Sequence, residues 1–101
     1  MVILDLSGDI EIGEGEVELR ERVNALLENK QRHILLNFAN VTCVDSAGVG
    51  ELVACYKRTT AENGALKLLN LPERVSDLLR LTRLRELFSI YDNEEQALEA
   101  F

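Results

Sequence analysis

The stretch Val44-Asp45-Ser46-Ala47-Gly48-Val49-Gly50 constrains this chain more than any other, because a buried strand must stop there and an amphipathic helix must start. Upstream, His33-Ile34-Leu35-Leu36-Asn37-Phe38 is apolar enough to be a strand covered on both faces. Downstream, Val49, Leu52, Val53 and Tyr56 recur at helical spacing, with Glu51, Lys57 and Arg58 on other sides. One serine, framed by an aspartate and two glycines, is thereby placed at a helix N-terminus, where backbone N–H groups and the positive end of the dipole are available. A phosphate added to Ser46 would suit that helix end and be conspicuous to a partner, so Ser46 reads as a switch. The competing reading is that Asp45 and Ser46 only cap the helix, since Ser and Asp are preferred N-cap residues. The residues alone leave both open.

Length and charge narrow the classes. At 101 residues the chain is read as one domain, 1–101, with a single core. A net charge of −7 argues against nucleic acid, whose binding is driven by Lys and Arg, and favours a partner with a basic patch. Basic residues do gather between Arg74 and Arg85, but Asp77 and Glu86 interrupt them, which suits a solvated helix face. The two cysteines, Cys43 and Cys55, read as small buried hydrophobes in a reducing compartment rather than a disulfide. No secretory leader and no membrane-length apolar run is evident, so the expected setting is cytoplasmic.

The order of elements predicts an α/β fold: a mixed, mostly parallel sheet of four to five strands packed with about four helices. Met1 to Leu6 reads as a strand, Ser7-Gly8-Asp9 as a turn, and Ile10 with Ile12 as a short second strand. Val17, Leu19, Val23, Leu26 and Leu27 mark a first helix, and the helix after Ser46 should end near Asn63-Gly64. A strand follows at Ala65–Leu69, then a brief helix through Val75, Leu78, Leu79 and Leu81 or Thr82. Leu87–Tyr91 suits a last strand, with Asp92-Asn93 capping a closing helix. In such sheets functional loops gather beyond the carboxyl ends of strands, and Ser46 lies at one.

Several chemistries fail at this serine. A hydrolase needs a base within reach of the nucleophile, yet the only histidine, His33, begins the strand that Ser46 follows. Gly-x-Ser-x-Gly is absent. Cys43, Cys55 and His33 lack the paired spacing of a zinc site, and Gly48-Val49-Gly50 lacks the lysine of a phosphate-cradling loop. The expectation is no catalytic residue, no metal and no cofactor. The glycines have a simpler use, which is to let the chain turn and the helix approach the sheet.

Val41-Thr42-Cys43-Val44-Asp45-Ser46-Ala47-Gly48-Val49-Gly50 resembles the hallmark of the STAS domain, particularly of bacterial anti-sigma factor antagonists. Leu4–Ile10 resembles the family's opening strand and turn, Leu66–Leu71 its next core strand, and Arg74–Leu84 with Leu87–Asp92 its C-terminal signature. The resemblance implies a non-enzymatic, phosphorylation-controlled partner switch. The unphosphorylated chain would bind an anti-sigma factor that is also a GHKL-type serine kinase, freeing a sigma factor. Phosphorylation of Ser46 would end binding, and a phosphoserine phosphatase would restore it; any ATP belongs to the partner. The same resemblance makes Asp45, Ala47, Gly48 and Gly50 loop residues. Val49, Leu52, Ser7 and Asp9 become partner contacts, with Val49 and Leu52 forming an exposed apolar patch. Asn37 stands where many relatives carry an acid, and Ala47 where many carry a second hydroxyl. The runner-up is a non-switching STAS scaffold or regulatory module, and a small-ligand sensor is a third possibility. The expected state is a monomer or weak homodimer, with neither nucleic acid nor membrane as partner.

Overall fold

Four parallel strands lie side by side in chain order in the computed structural model, which describes all of residues 1–101. They are β1 (Val2–Ile10), β2 (His33–Val44), β3 (Ala65–Leu69) and β4 (Ile90–Tyr91). Parallel neighbours need crossovers, and α1 (Glu14–Glu28), α2 (Ser46–Ala61) and α3 (Glu73–Leu81) supply them. A 3-10 turn at Arg85–Leu87 precedes β4, and α4 (Glu94–Glu99) closes the chain.

The main core lies between the sheet and the three crossover helices. Leu19, Val23 and Leu27 of α1, Val49, Leu52 and Cys55 of α2, and Val75 and Leu79 of α3 pack with Leu4, Leu6, Ile34, Leu36, Phe38, Leu66 and Leu68. On the opposite face, Ala97 of α4 packs with Leu35 and Leu69, flanked by Tyr91, Leu98 and Phe101. This two-sided cover explains the unbroken apolar run of β2, where Ile34, Leu35 and Leu36 are all fully buried. Phe101 also stacks on His33, with centroids 5.7 Å apart, and lies under the Lys67 ammonium at 5.3 Å.

The sheet has four strands, within the four to five expected, and every pair is parallel, where a mixed, mostly parallel sheet was expected. Ser7-Gly8-Asp9 does not turn the chain back. Gly8 takes φ 73°, and the register against β2 slips between Asp5 and Ser7 and again between Gly8 and Asp9. The turn chemistry is absorbed as bulges within one long strand. Ile12 therefore leaves the sheet altogether and is 78% exposed. The expected last strand shrinks to Ile90–Tyr91, because the 3-10 turn takes Leu87. Leu81 falls off the buried stripe of α3 and is exposed. Cys55 is buried as expected, whereas Cys43 is only half-buried.

The three crossover helices end alike. Lys30, Asn63 and Arg83 take positive φ of 65°, 63° and 61°. The next amide in each case reaches back, Gln31 to the Leu26 carbonyl (2.9 Å), Gly64 to Thr59 (2.9 Å) and Leu84 to Leu79 (2.8 Å). This is the Schellman arrangement, which satisfies carbonyls left over at a helix end.

Candidate functional site

Ser46 is the first residue of α2 and is exposed, immediately beyond the end of β2. The cap itself is Asp45, in an extended conformation, whose Oδ1 accepts the Gly48 amide at 2.8 Å. Its Oδ2 accepts the Ile12 amide at 3.0 Å, and its own amide donates to the Ile10 carbonyl at 3.4 Å. The two readings of Asp45-Ser46 thus separate. Asp45 caps the helix and ties down the turn after β1, while Ser46 stands one residue inside the helix. The amides of Ile12 and Gly48, then those of Ala47 and Asp45 itself, hold the Asp45 carboxyl below the usual carboxylate range. It is ionised at neutral pH, and a phosphate on Ser46 would be its neighbour.

The two glycines of the loop have different reasons to be there. A Cβ on Gly48 would collide with the Ile10 carbonyl oxygen and come within 2.8 Å of Val44 Cγ1. Gly48 is therefore what lets the first turn of α2 lie against the end of β1. Gly50 was expected to shape the helix start as well. Its added Cβ would meet nothing, its backbone is ordinary helix, and it is exposed. It lies one turn from Ser46, on the same side of α2.

Val49 and Leu52 correct a second expectation, because they do not form an exposed apolar patch. Both are buried, with 4% and 1% of their surface accessible, since they supply the stripe that seats α2 on the sheet. Ser7 and Asp9 are exposed on β1, in register with Asn40 and Cys43 of β2. They line a shallow cleft with Gly15, Glu18 and Arg22.

The exposed apolar residue near the loop is Ile12, which sequence patterning assigned to a strand. It sits in a concavity lined by Asp9, Glu11, Glu14 and Glu18, and its amide is the one held by Asp45. Its signal was present in the glycine that follows it, because Gly13, at φ 97°, turns the chain out of the sheet and into α1.

Behind the loop, α1 and α2 are joined by a carboxylate. Glu51, 6% exposed, accepts Arg20 Nε at 2.7 Å on one oxygen and Arg58 Nη2 at 2.8 Å on the other. The Cys55 thiol donates to it at 3.4 Å. Burial pushes the Glu51 carboxyl up, but hydrogen bonds from Arg58, Arg20 and Cys55 outweigh that and hold it below its ordinary value. Burial pushes the Cys55 thiol up to about 12, which makes it an inert core group.

The geometry offers the Ser46 hydroxyl no base. His33 opens the twelve-residue strand that Ser46 follows, roughly 40 Å of extended chain away. No group of three or more His, Cys, Asp or Glu side chains is arranged to hold a metal ion. No helix is long and apolar enough to cross a membrane. What remains is an exposed hydroxyl at a helix N-terminus, able to accept a phosphoryl group.

Comparison with known proteins agrees with this architecture. A family model described as the STAS domain matches residues 1–97. The anti-sigma F factor antagonist of Paenibacillus polymyxa is 28% identical over 98 residues, covering 97% of this chain and 84% of that protein. The anti-sigma-B factor antagonist of Bacillus subtilis is 29% identical over 96 residues, covering 95% and 86%. A crystal structure from Thermotoga maritima, described as a candidate anti-sigma factor antagonist, superposes with a TM-score of 0.89 at 27% identity, covering 97% of this chain and 84% of that one.

Proposed function

This chain belongs to the STAS domain family, and from that premise we propose that it is an anti-sigma factor antagonist controlled at Ser46. Unphosphorylated, it binds an anti-sigma factor that is also a GHKL-type serine kinase, and a sigma factor is released. The kinase transfers the γ-phosphoryl group of its own ATP to the Ser46 oxygen, the hydroxyl proton leaves, and ADP is the other product. A phosphoserine phosphatase reverses the change. The chain contributes a surface and an acceptor, not catalysis.

One observation carries the reading: the helix is capped by Asp45, so the exposed Ser46 hydroxyl is not needed by the fold. A phosphate there gains about 0.3–1 kcal/mol from the helix dipole, against repulsion from ionised Asp45. The domain is left folded while about two negative charges appear on the docking surface. A partner packed over that surface would have to bury them, which is costly without a matching cation. Ile12 within its acidic rim is the second part of the surface, and it suits a partner with an apolar notch edged by basic residues.

The test uses wild type, Ser46→Ala and Ser46→Asp as baits in host lysate, with intact-mass analysis of the native protein. Retention of a GHKL-type kinase by the first two but not by Ser46→Asp, with one phosphate mapped to Ser46, is the expected result. The same partners on all three baits and no phosphate would overturn it in favour of a scaffold.

A further inference from the structure

The C-terminal end of α3 carries a basic concavity that has no part in the Ser46 reading. It is lined by Arg80, Arg83, Arg85 and Glu86, with no apolar residue. Because α3 starts beyond the carboxyl end of β3 and runs back along the sheet, this concavity lies at the opposite end of the molecule from Ser46.

Two observations describe how it is built. The first is the backbone at Arg83, which occupies the left-handed position of the Schellman turn with φ 61°. Its amide donates to Arg80 (3.1 Å) and the next amide, of Leu84, to Leu79 (2.8 Å). Glycine is the usual occupant of that position, and a long side chain there is strained. Lys30 and Asn63 hold the same conformation at the ends of α1 and α2, so the turn fixes where the Arg83 side chain leaves the backbone, and the side chains around it set this helix end apart.

The second observation is the state of the three guanidinium groups. Arg85 Nε donates to Ser76 Oγ at 3.0 Å, and Arg80 Nη2 pairs with Asp77 at 2.9 Å, so both are steadied by one contact and keep other N–H groups free. Arg83 makes no side-chain hydrogen bond or ion pair within the protein. One cation is enough to balance a helix C-terminus. Three on one concavity, in a chain of net charge −7, exceed that need.

We propose that Arg80, Arg83 and Arg85 form a binding site for a phosphate group. Guanidinium matches phosphate by donating paired N–H groups to two of its oxygens, and the fixed forks of Arg80 and Arg85 lower the ordering cost. Glu86 on the rim works against a highly charged anion and sets a limit on affinity. A free phosphate and the headgroup of an anionic lipid share this chemistry, and exposed Leu81 follows Arg80 in the chain.

The test follows arginine Nε and backbone amide resonances while inorganic phosphate or pyrophosphate is titrated at constant ionic strength, with chloride as control. Saturable shifts at Arg80, Arg83 and Arg85 are expected, as is about ten-fold weaker binding in Arg83→Gly. That variant keeps the turn and relieves its strain, so its Tm should rise, which separates lost binding from lost folding. Lys30→Gly relieves the same strain in α1 and should leave binding unchanged. Sedimentation with vesicles of phosphatidic acid, against phosphatidylcholine, distinguishes the sources, since co-sedimentation assigns the lipid and its absence beside saturable shifts assigns the free anion. No saturable response to either, or equal binding by wild type and Arg83→Gly, overturns the proposal and leaves the arginines as helix-end charges. None of these readouts depends on Ser46.

Discussion

The Asp45 carboxylate accepts the Ile12 amide from 33 residues away at 3.0 Å, so the residue before Ser46 fixes the turn between β1 and α1 as well as its own helix. Asp45→Ala removes both contacts and should lower Tm by several degrees. Asp45→Asn keeps acceptor capacity on one oxygen and should lower it less. The pH dependence has a definite sign. The folded carboxyl titrates below its unfolded value, so its stabilisation is present above about pH 4 and is lost as pH falls through the folded pKa. Tm measured from pH 6 to pH 2 should therefore fall less steeply for Asp45→Asn than for wild type; parallel curves would show that the carboxylate charge is not what matters.

Gly48 and Gly50 should respond oppositely to the same substitution. Gly48→Ala forces a methyl group into the Ile10 carbonyl and Val44, and should cost about 1–3 kcal/mol in chemical denaturation. Gly50→Ala meets open space on a helix and should gain up to about 1 kcal/mol. If the partner approaches Ser46 across this bare turn of helix, Gly50→Ala also slows phosphorylation despite the added stability. Unchanged phosphorylation would remove Gly50 from the docking surface.

The strand before Ser46 and the helix after it were legible for physical reasons. Ile34-Leu35-Leu36 admits no exposed face, and the stripe of Val49, Leu52 and Tyr56 has helical period. That stripe says which side of α2 is apolar but not whether another layer covers it, so Val49 and Leu52 could be mistaken for surface. The bulges at Ser7–Asp9 escaped because Gly8 carries the same turn signal whether the chain reverses or only slips register. Asp45 was recognisable as a cap, but its second hydrogen bond, to Ile12, depends on where β1 ends relative to β2. Arg83 gave no warning at all, because the residue that usually marks its backbone conformation is glycine.

Glu51 should be the most sensitive polar position. Glu51→Ala leaves Arg20 and Arg58 without their shared acceptor at the α1–α2 contact, and should cost about 1–3 kcal/mol. Both arginines are partly exposed and can rehydrate, which limits the loss. Glu51→Gln keeps the shape without the charge and should fall between. As its folded carboxyl also titrates below the ordinary value, its contribution is present above about pH 4.3 and lost on acidification. Denaturant midpoints at pH 7 and pH 3 should therefore differ more for wild type than for Glu51→Gln.

Ile12 gives the sharpest test of the proposed docking surface, because that proposal makes it matter to the partner while the fold hardly needs its side chain. Its side chain is 78% exposed and its tie to the rest of the protein is a backbone amide, so Ile12→Ala should leave Tm nearly unchanged. Binding to the partner retained by wild type should weaken by about ten-fold, as expected when an apolar anchor at an interface centre is truncated. Leu81→Ala is the control, since Leu81 is equally exposed but at the far end of the molecule, and it should bind as wild type does. Equal losses from both substitutions would point to nonspecific apolar adhesion. No loss from Ile12→Ala would move the docking surface off the acidic rim and onto the α2 side of Ser46.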